Sequence, residues 1–109
     1  MSRRILLLLL VLSSLLMFSS CKKGREVFLI GISQPSMDAW REKANEELCR
    51  EASFYNDVNV EIRSVADDSK AQIDDIEYFI EKGVDLLVVS PNESSNLTPV
   101  VEEAYEKGI

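Results

Sequence analysis

Two short segments carry the side chains best suited to grip a small polar molecule. Residues 33–40 read SQPSMDAW, and residues 90–93 read SPNE. In the first, Gln34 and Asp38 offer an amide and a carboxylate for hydroxyl groups. Trp40, at the start of a helix, offers an indole face that can stack on the C–H face of a sugar ring. In the second, Asn92 and Glu93 put an amide and a carboxylate on one rim. A carboxylate accepts two adjacent hydroxyls, and such charge-assisted bonds are among the stronger ones. The ligand-binding candidates are therefore Gln34, Asp38, Trp40, Asn92 and Glu93. Plainer roles stand beside these: Trp40 as core, Asp38 as a helix N-cap, and an Asx turn around Pro91.

Other chemistries find no footing. Histidine is absent from the chain, which removes Ser-His-Asp triads, imidazole bases and the commonest transition-metal ligand. No catalytic residue, and no enzyme activity of this segment, is expected. Asp67 with Asp68, and Asp74 with Asp75, lack the glycine and terminal glutamate of a calcium loop, so they read as solvated acids and no metal site is expected. Neither GxGxxG nor GxxxxGK[ST] occurs, so nucleotide phosphates have no cradle and no cofactor is expected.

The elements that must position the two segments follow from periodicity. Residues 26–33 (EVFLIGIS) form a near-continuous apolar run, the mark of a strand covered on both faces. Asp38 caps a helix reaching about Tyr55, with Trp40, Ala44, Leu48 and Ala52 on one stripe. Val58, Val60 and Ile62 alternate with polar residues, which predicts a half-exposed edge strand. Residues 69–72 fit a capping box, Ile73, Ile76 and Ile80 give the second helix its buried face, and Gly83 suits a left-handed C-cap. Residues 84–90 (VDLLVVS) form a further buried strand. Thr98 caps a third helix with Pro99 at its first position, and Val101, Ala104 and Tyr105 face inward.

Alternating strands and helices imply a parallel α/β sheet with right-handed crossovers. The doubly apolar first strand belongs in the middle, giving the order 2-1-3. The chain reverses direction between strands one and three, where open α/β sheets bind ligands, so residues 33–40 and 90–97 line one site. Phospho-receiver domains share this order, but they need an acidic pair after strand one and an Asp after strand three. Ser33, Gln34 and Ser90 stand in those places.

The N-terminal segment is of another kind. Arg3 and Arg4 precede an apolar run over residues 5–18, and Ser19, Ser20 and Cys21 supply small residues at a processing site. The run is shorter than the roughly 18 to 20 residues that span a bilayer. Residues 1–23 thus read as a signal peptide or lipoprotein export segment, and residues 24–109 as the working domain, placed in the periplasm. Lipidation of Cys21 gives a membrane tether; simple cleavage and a retained anchor are the alternatives. Cys49 stands alone on a helix, so no disulfide framework is present. From Gly24 onward 8 basic residues face 19 acidic ones, a balance of −11. Such a surface repels phosphate backbones, so no nucleic-acid partner is expected.

On IGISQPSMDAW, DDSKAQIDDIEYFIEKGVDLLVVSPNE and LTPVVEEAYEKGI, the chain resembles the periplasmic sugar-binding proteins of the ribose-binding type, most closely the periplasmic sensor domains of bacterial hybrid two-component histidine kinases. The resemblance implies the three-layer αβα type I periplasmic-binding-protein fold, with only the first βαβαβα part of the N-terminal lobe present. It implies that Trp40 stacks on a sugar and Glu93 binds its hydroxyls. Met37 and Asp38 replace the family's Asn-Pro, which alters the hydrogen-bond pattern that selects the sugar. The implied partner is a mono- or oligosaccharide, with kinase or transporter components outside residues 24–109. Two binding roles remain, sensor input and substrate-binding protein of a sugar ABC transporter; an exported enzyme is the rival from another class.

Overall fold

The structure, a computed structural model, describes residues 27–109. The export segment and the processing site at Cys21 lie outside the described residues. Strand β1 (Phe28–Gln34), helix α1 (Ala39–Ala52), β2 (Val58–Ser64), α2 (Ser69–Lys82), β3 (Leu86–Val89) and α3 (Ser94–Glu106) follow in chain order. The three strands form one parallel sheet in the order β2-β1-β3, as the apolar patterning predicts. Ile30 pairs with Val60 on one side and Leu86 on the other; Ser33 pairs with Arg63 and Val89.

The core sits on the α2–α3 side of the sheet. Ile76, Ile80, Leu97, Val100 and Ala104 form a buried cluster, with Ile73, Leu87 and Val89 packed on it. Phe79, at 0% exposure, lies against β1, and a Cβ built on Gly31 would stand 2.8 Å from its ring. Gly31 is therefore the gap in β1 that admits the aromatic ring, a close approach that only a missing side chain allows. Full burial of a phenyl group is worth about 1.5–3 kcal/mol.

The other face of the sheet carries α1, and here the expectation from the stripe fails. Helix α1 has no buried residue: Trp40 is 76% exposed and Leu48 is also exposed. The helix lies over the β2 side. Leu48, Ala52 and Tyr55 flank a groove of about 290 Å³ with Phe28, Ile30, Val58 and Val60. Leu86 and Val88, on alternate positions of β3 from Leu87 and Val89, are 43% and 45% exposed. An apolar stripe marks the face that can be covered, and the described residues cover only part of this one.

Helix termini supply further corrections. The cap of α2 is Asp68, whose Oδ1 accepts from the backbone N–H groups of Lys70 and Ala71 at 2.9 and 3.1 Å. Residues 69–72 are therefore not a capping box. Gly83, with φ of 70°, is the left-handed C-cap expected. Helix α3 starts at Ser94, not after Thr98, with Glu93 as N-cap, and Pro99 stands inside it. The early start brings Leu97 into line with Val100 and Ala104 on the buried stripe. Thr98 Oγ1 donates to the Ser94 carbonyl at 2.8 Å, within the turn that must accommodate the proline ring. Tyr105 points outward, and Leu97 and Val100 take the inward places expected of Tyr105 and Val101.

Candidate functional site

The loops that leave β1 and β3 lie side by side at the C-terminal edge of the sheet. The Ser90 backbone N–H donates to the Ser33 carbonyl at 2.9 Å, continuing the β1–β3 pairing into the loops. This is the reversal point at which a parallel sheet leaves a crevice.

Asp38 anchors one wall. Its Oδ1 accepts the Arg41 backbone N–H at 3.0 Å, so Asp38 is the N-cap of α1. Its Oδ2 pairs with the Arg41 guanidinium and accepts from the Ser36 hydroxyl at 3.3 Å. The Arg41 backbone N–H, with its guanidinium in support, holds the Asp38 carboxyl below the ordinary carboxylate range. The same guanidinium reaches from the β1 loop to the β3 loop: Nη2 donates to Ser90 Oγ at 3.3 Å, while Nη1 donates to Ser36 Oγ at 3.2 Å. One side chain thus links the two loops.

Trp40 projects from the first turn of α1 with most of its indole free. Across the crevice, Asn92 Nδ2 donates to Ser69 Oγ at 3.0 Å. Glu93 is exposed and accepts from the Asn96 side-chain amide. Gln34 faces the other way. It is buried, and its Nε2 donates to Ser64 Oγ on β2 at 2.7 Å and meets Met37 Sδ at 3.8 Å. The arrangement therefore brings Asp38 to Ser90 through Arg41, ties Asn92 to the start of α2, and commits the Gln34 amide to the sheet edge.

Two residues of this network escaped the sequence reading. Arg41 follows Trp40 as one more charged residue of a polar helix, and its reach to Ser90 exists only once β1 and β3 are neighbours. Gln72 looks like the last member of a capping box. Its place four residues before Ile76 puts it on the buried stripe, and that was the available signal. It is 0% exposed; Nε2 donates to Ser33 Oγ at 3.2 Å and to the Ser90 carbonyl at 2.8 Å, and Oε1 accepts the Asn92 backbone N–H at 2.8 Å.

Among the described residues, no group of acidic and cysteine side chains is placed to hold a metal ion. No described helix is long and apolar enough to cross a membrane.

The same architecture recurs in known proteins. The fructose-binding periplasmic domain of the hybrid two-component system BT1754 is 57% identical and superposes with a TM-score of 0.73, over 75% of this chain and 27% of that one. The periplasmic binding protein component of the arabinose ABC transporter from Shewanella sp. ANA-3 is 27% identical with a TM-score of 0.65, over 74% of this chain and 27% of its own. The D-xylose-binding periplasmic protein of Haemophilus influenzae is 29% identical over 102 residues, which is 94% of this chain and 30% of that protein. The chain spans less than a third of the length of these relatives. The first of these is a fructose-binding domain and the last a D-xylose-binding protein. The family model for the periplasmic binding protein domain matches residues 30–109, and the chain belongs to that family.

Proposed function

We propose that this chain builds one wall of a site for a small neutral sugar, and that the domain it belongs to is the exported sensor input of a hybrid two-component histidine kinase. The observation that carries the site is the Arg41 guanidinium, fixed on Asp38 and turned toward Ser90 between the β1 and β3 loops. It lies at the reversal point of the sheet, with the free indole of Trp40 on the same helix turn and the carboxylate of Glu93 on the β3 loop. Donors, an aromatic face and a carboxylate are the groups a polyhydroxylated ring needs. The sensor role is supported by the 57% identity to a fructose-binding sensor domain. No catalytic step belongs to the reading; any kinase lies outside residues 24–109.

Calorimetry of the full-length protein against D-fructose, D-xylose and L-arabinose tests the site. Binding of one of them, weakened by Arg41→Ala, is the expected result; wild-type affinity in that variant overturns the assignment. A substrate-binding role in an ABC transporter is the second reading, supported by the likeness to the D-xylose-binding protein. A kinase in the full-length product selects the first reading. On the second, Cys21 becomes the lipidated N-terminus, which mass spectrometry of the mature protein detects directly.

A further inference from the structure

We infer that Gln72 is a positioning residue for the sugar site, an internal brace that sets the β3 loop against the end of β1. The inference rests on the sugar-binding reading above and deepens it. Gln72 sits on the buried stripe of α2, one turn before Ile76, where an aliphatic side chain would pack without any hydrogen-bonding requirement. Both ends of its amide are used instead. The nitrogen spans Ser33 Oγ on β1 and the Ser90 carbonyl after β3, and the oxygen takes the Asn92 N–H. An amide has two donors and a carbonyl acceptor, and both donors and the carbonyl are engaged between the two loop-bearing segments.

The consequence reaches every group on the β3 side. With its carbonyl held by Gln72, Ser90 presents its hydroxyl to Arg41. With its N–H held, Asn92 keeps its side chain on Ser69, and Glu93 leaves the loop in a fixed direction as the N-cap of α3. Gln72 has no exposed surface and touches no ligand itself. It acts by lowering the ordering cost that a mobile rim would impose on binding.

The test compares Gln72→Met with Ile80→Val in the full-length protein. Methionine preserves the volume and removes all the hydrogen bonds; Ile80→Val opens a small cavity in the same helix away from the loops. Affinity for D-fructose is read by calorimetry, and opening of the Asn92 amide by hydrogen exchange. Gln72→Met is expected to weaken sugar binding about tenfold or more and to expose the Asn92 amide. Ile80→Val should lower stability with affinity unchanged. Ser33→Ala, a milder change that leaves packing intact, should cost a few-fold in affinity. Unchanged affinity in Gln72→Met and Ser33→Ala, with the wild-type protein binding sugar, overturns the brace and leaves the sugar site standing. Equal loss of affinity in Ile80→Val reduces Gln72 to a stability role and overturns the inference. A wild-type protein that binds none of D-fructose, D-xylose and L-arabinose overturns both readings together.

Discussion

Arg41 and Ser90 stand 49 positions apart in sequence, and the guanidinium of one donates to the hydroxyl of the other at 3.3 Å. The contact closes the gap between the loops after β1 and β3, with Asp38 holding the arginine from behind. The Asp38–Arg41 ion pair therefore stands at the reversal point of the sheet, a guanidinium and a carboxylate side by side. Such a pair offers hydroxyl groups both a donor and an acceptor.

Mutations of this wall should separate ligand contacts from bystanders. Arg41→Ala, Trp40→Ala and Glu93→Ala are each expected to weaken saccharide binding in the full-length protein. A lost charge-assisted hydrogen bond costs roughly 1.5–3 kcal/mol, about ten- to hundredfold in affinity. Asp67 occupies a left-handed conformation, φ 53°, after β2, so Asp67→Asn is the appropriate control and should bind normally. Calorimetry checks all of them. If both Trp40→Ala and Glu93→Ala bind as tightly as wild type, the rim lies elsewhere on this edge.

Gly31 and Phe79 give a prediction about stability. A methyl group at Gly31 meets the Phe79 ring at 2.8 and 3.1 Å, and both residues are buried, Gly31 in the central strand and Phe79 on the α2 face against it. Overpacking of this sort costs about 1–3 kcal/mol, so Gly31→Ala should lower the denaturant midpoint with little change in slope. Adding Phe79→Leu to Gly31→Ala should recover part of the loss, because the clashing ring is gone. Urea unfolding of the single and double variants decides. Independent, additive losses would show that the two positions do not share the space.

The Asp38 cap should make stability depend on acidity. Its folded pKa is depressed, by the Arg41 backbone N–H first and by the guanidinium next. A depressed carboxylate contributes stability that is complete above its unfolded pKa of about 3.9 and is lost as pH falls through the lower folded value. Asp38→Asn keeps a capping oxygen but removes the charge. Wild type should therefore lose more stability than Asp38→Asn between about pH 5 and pH 2.5, measured by thermal unfolding across that range. Parallel curves for the two proteins would mean that the carboxylate is not held by Arg41 in solution.

Strand order and the adjacency of the β1 and β3 loops were legible because an apolar run and a period of two separate the central strand from β2, although β3, read as a buried strand, exposes Leu86 and Val88. The Ile76 and Ile80 face and the Gly83 cap were legible for the same local reason. What failed was anything decided by a neighbour. The stripe on α1 was correct as a pattern, but no sequence signal says how much of a sheet face the helix covers. Thr98 and Pro99 spell a helix start, yet burial of Leu97 pulls the helix back to Ser94. Gln72 and Arg41 acquire their roles only from loops that are distant in sequence. Gln34 satisfies every local criterion for a ligand group, and its Nε2 donates to Ser64 because β2 pairs beside it.

The open surfaces of β3 should drive association of the isolated domain segment. Among the described residues, β3 pairs with β1 alone, so its other edge presents free backbone donors and acceptors. Leu86 and Val88 are exposed on the sheet face beside α1, and Phe28 adds to the same side. A flat edge joined to an apolar face is the usual starting point for association between chains. Residues 24–109 produced on their own should therefore self-associate as concentration rises and unfold in a broad thermal transition. Sedimentation at several concentrations measures the first, and calorimetry the second. Leu86→Lys and Val88→Lys place charge on the exposed face without entering the Leu87 and Val89 side of the core. The double variant should stay monomeric at concentrations where the parent associates, while keeping the same α/β circular dichroism spectrum. A parent fragment that remains monomeric and melts in one sharp transition would show that these surfaces are already protected in the isolated fold.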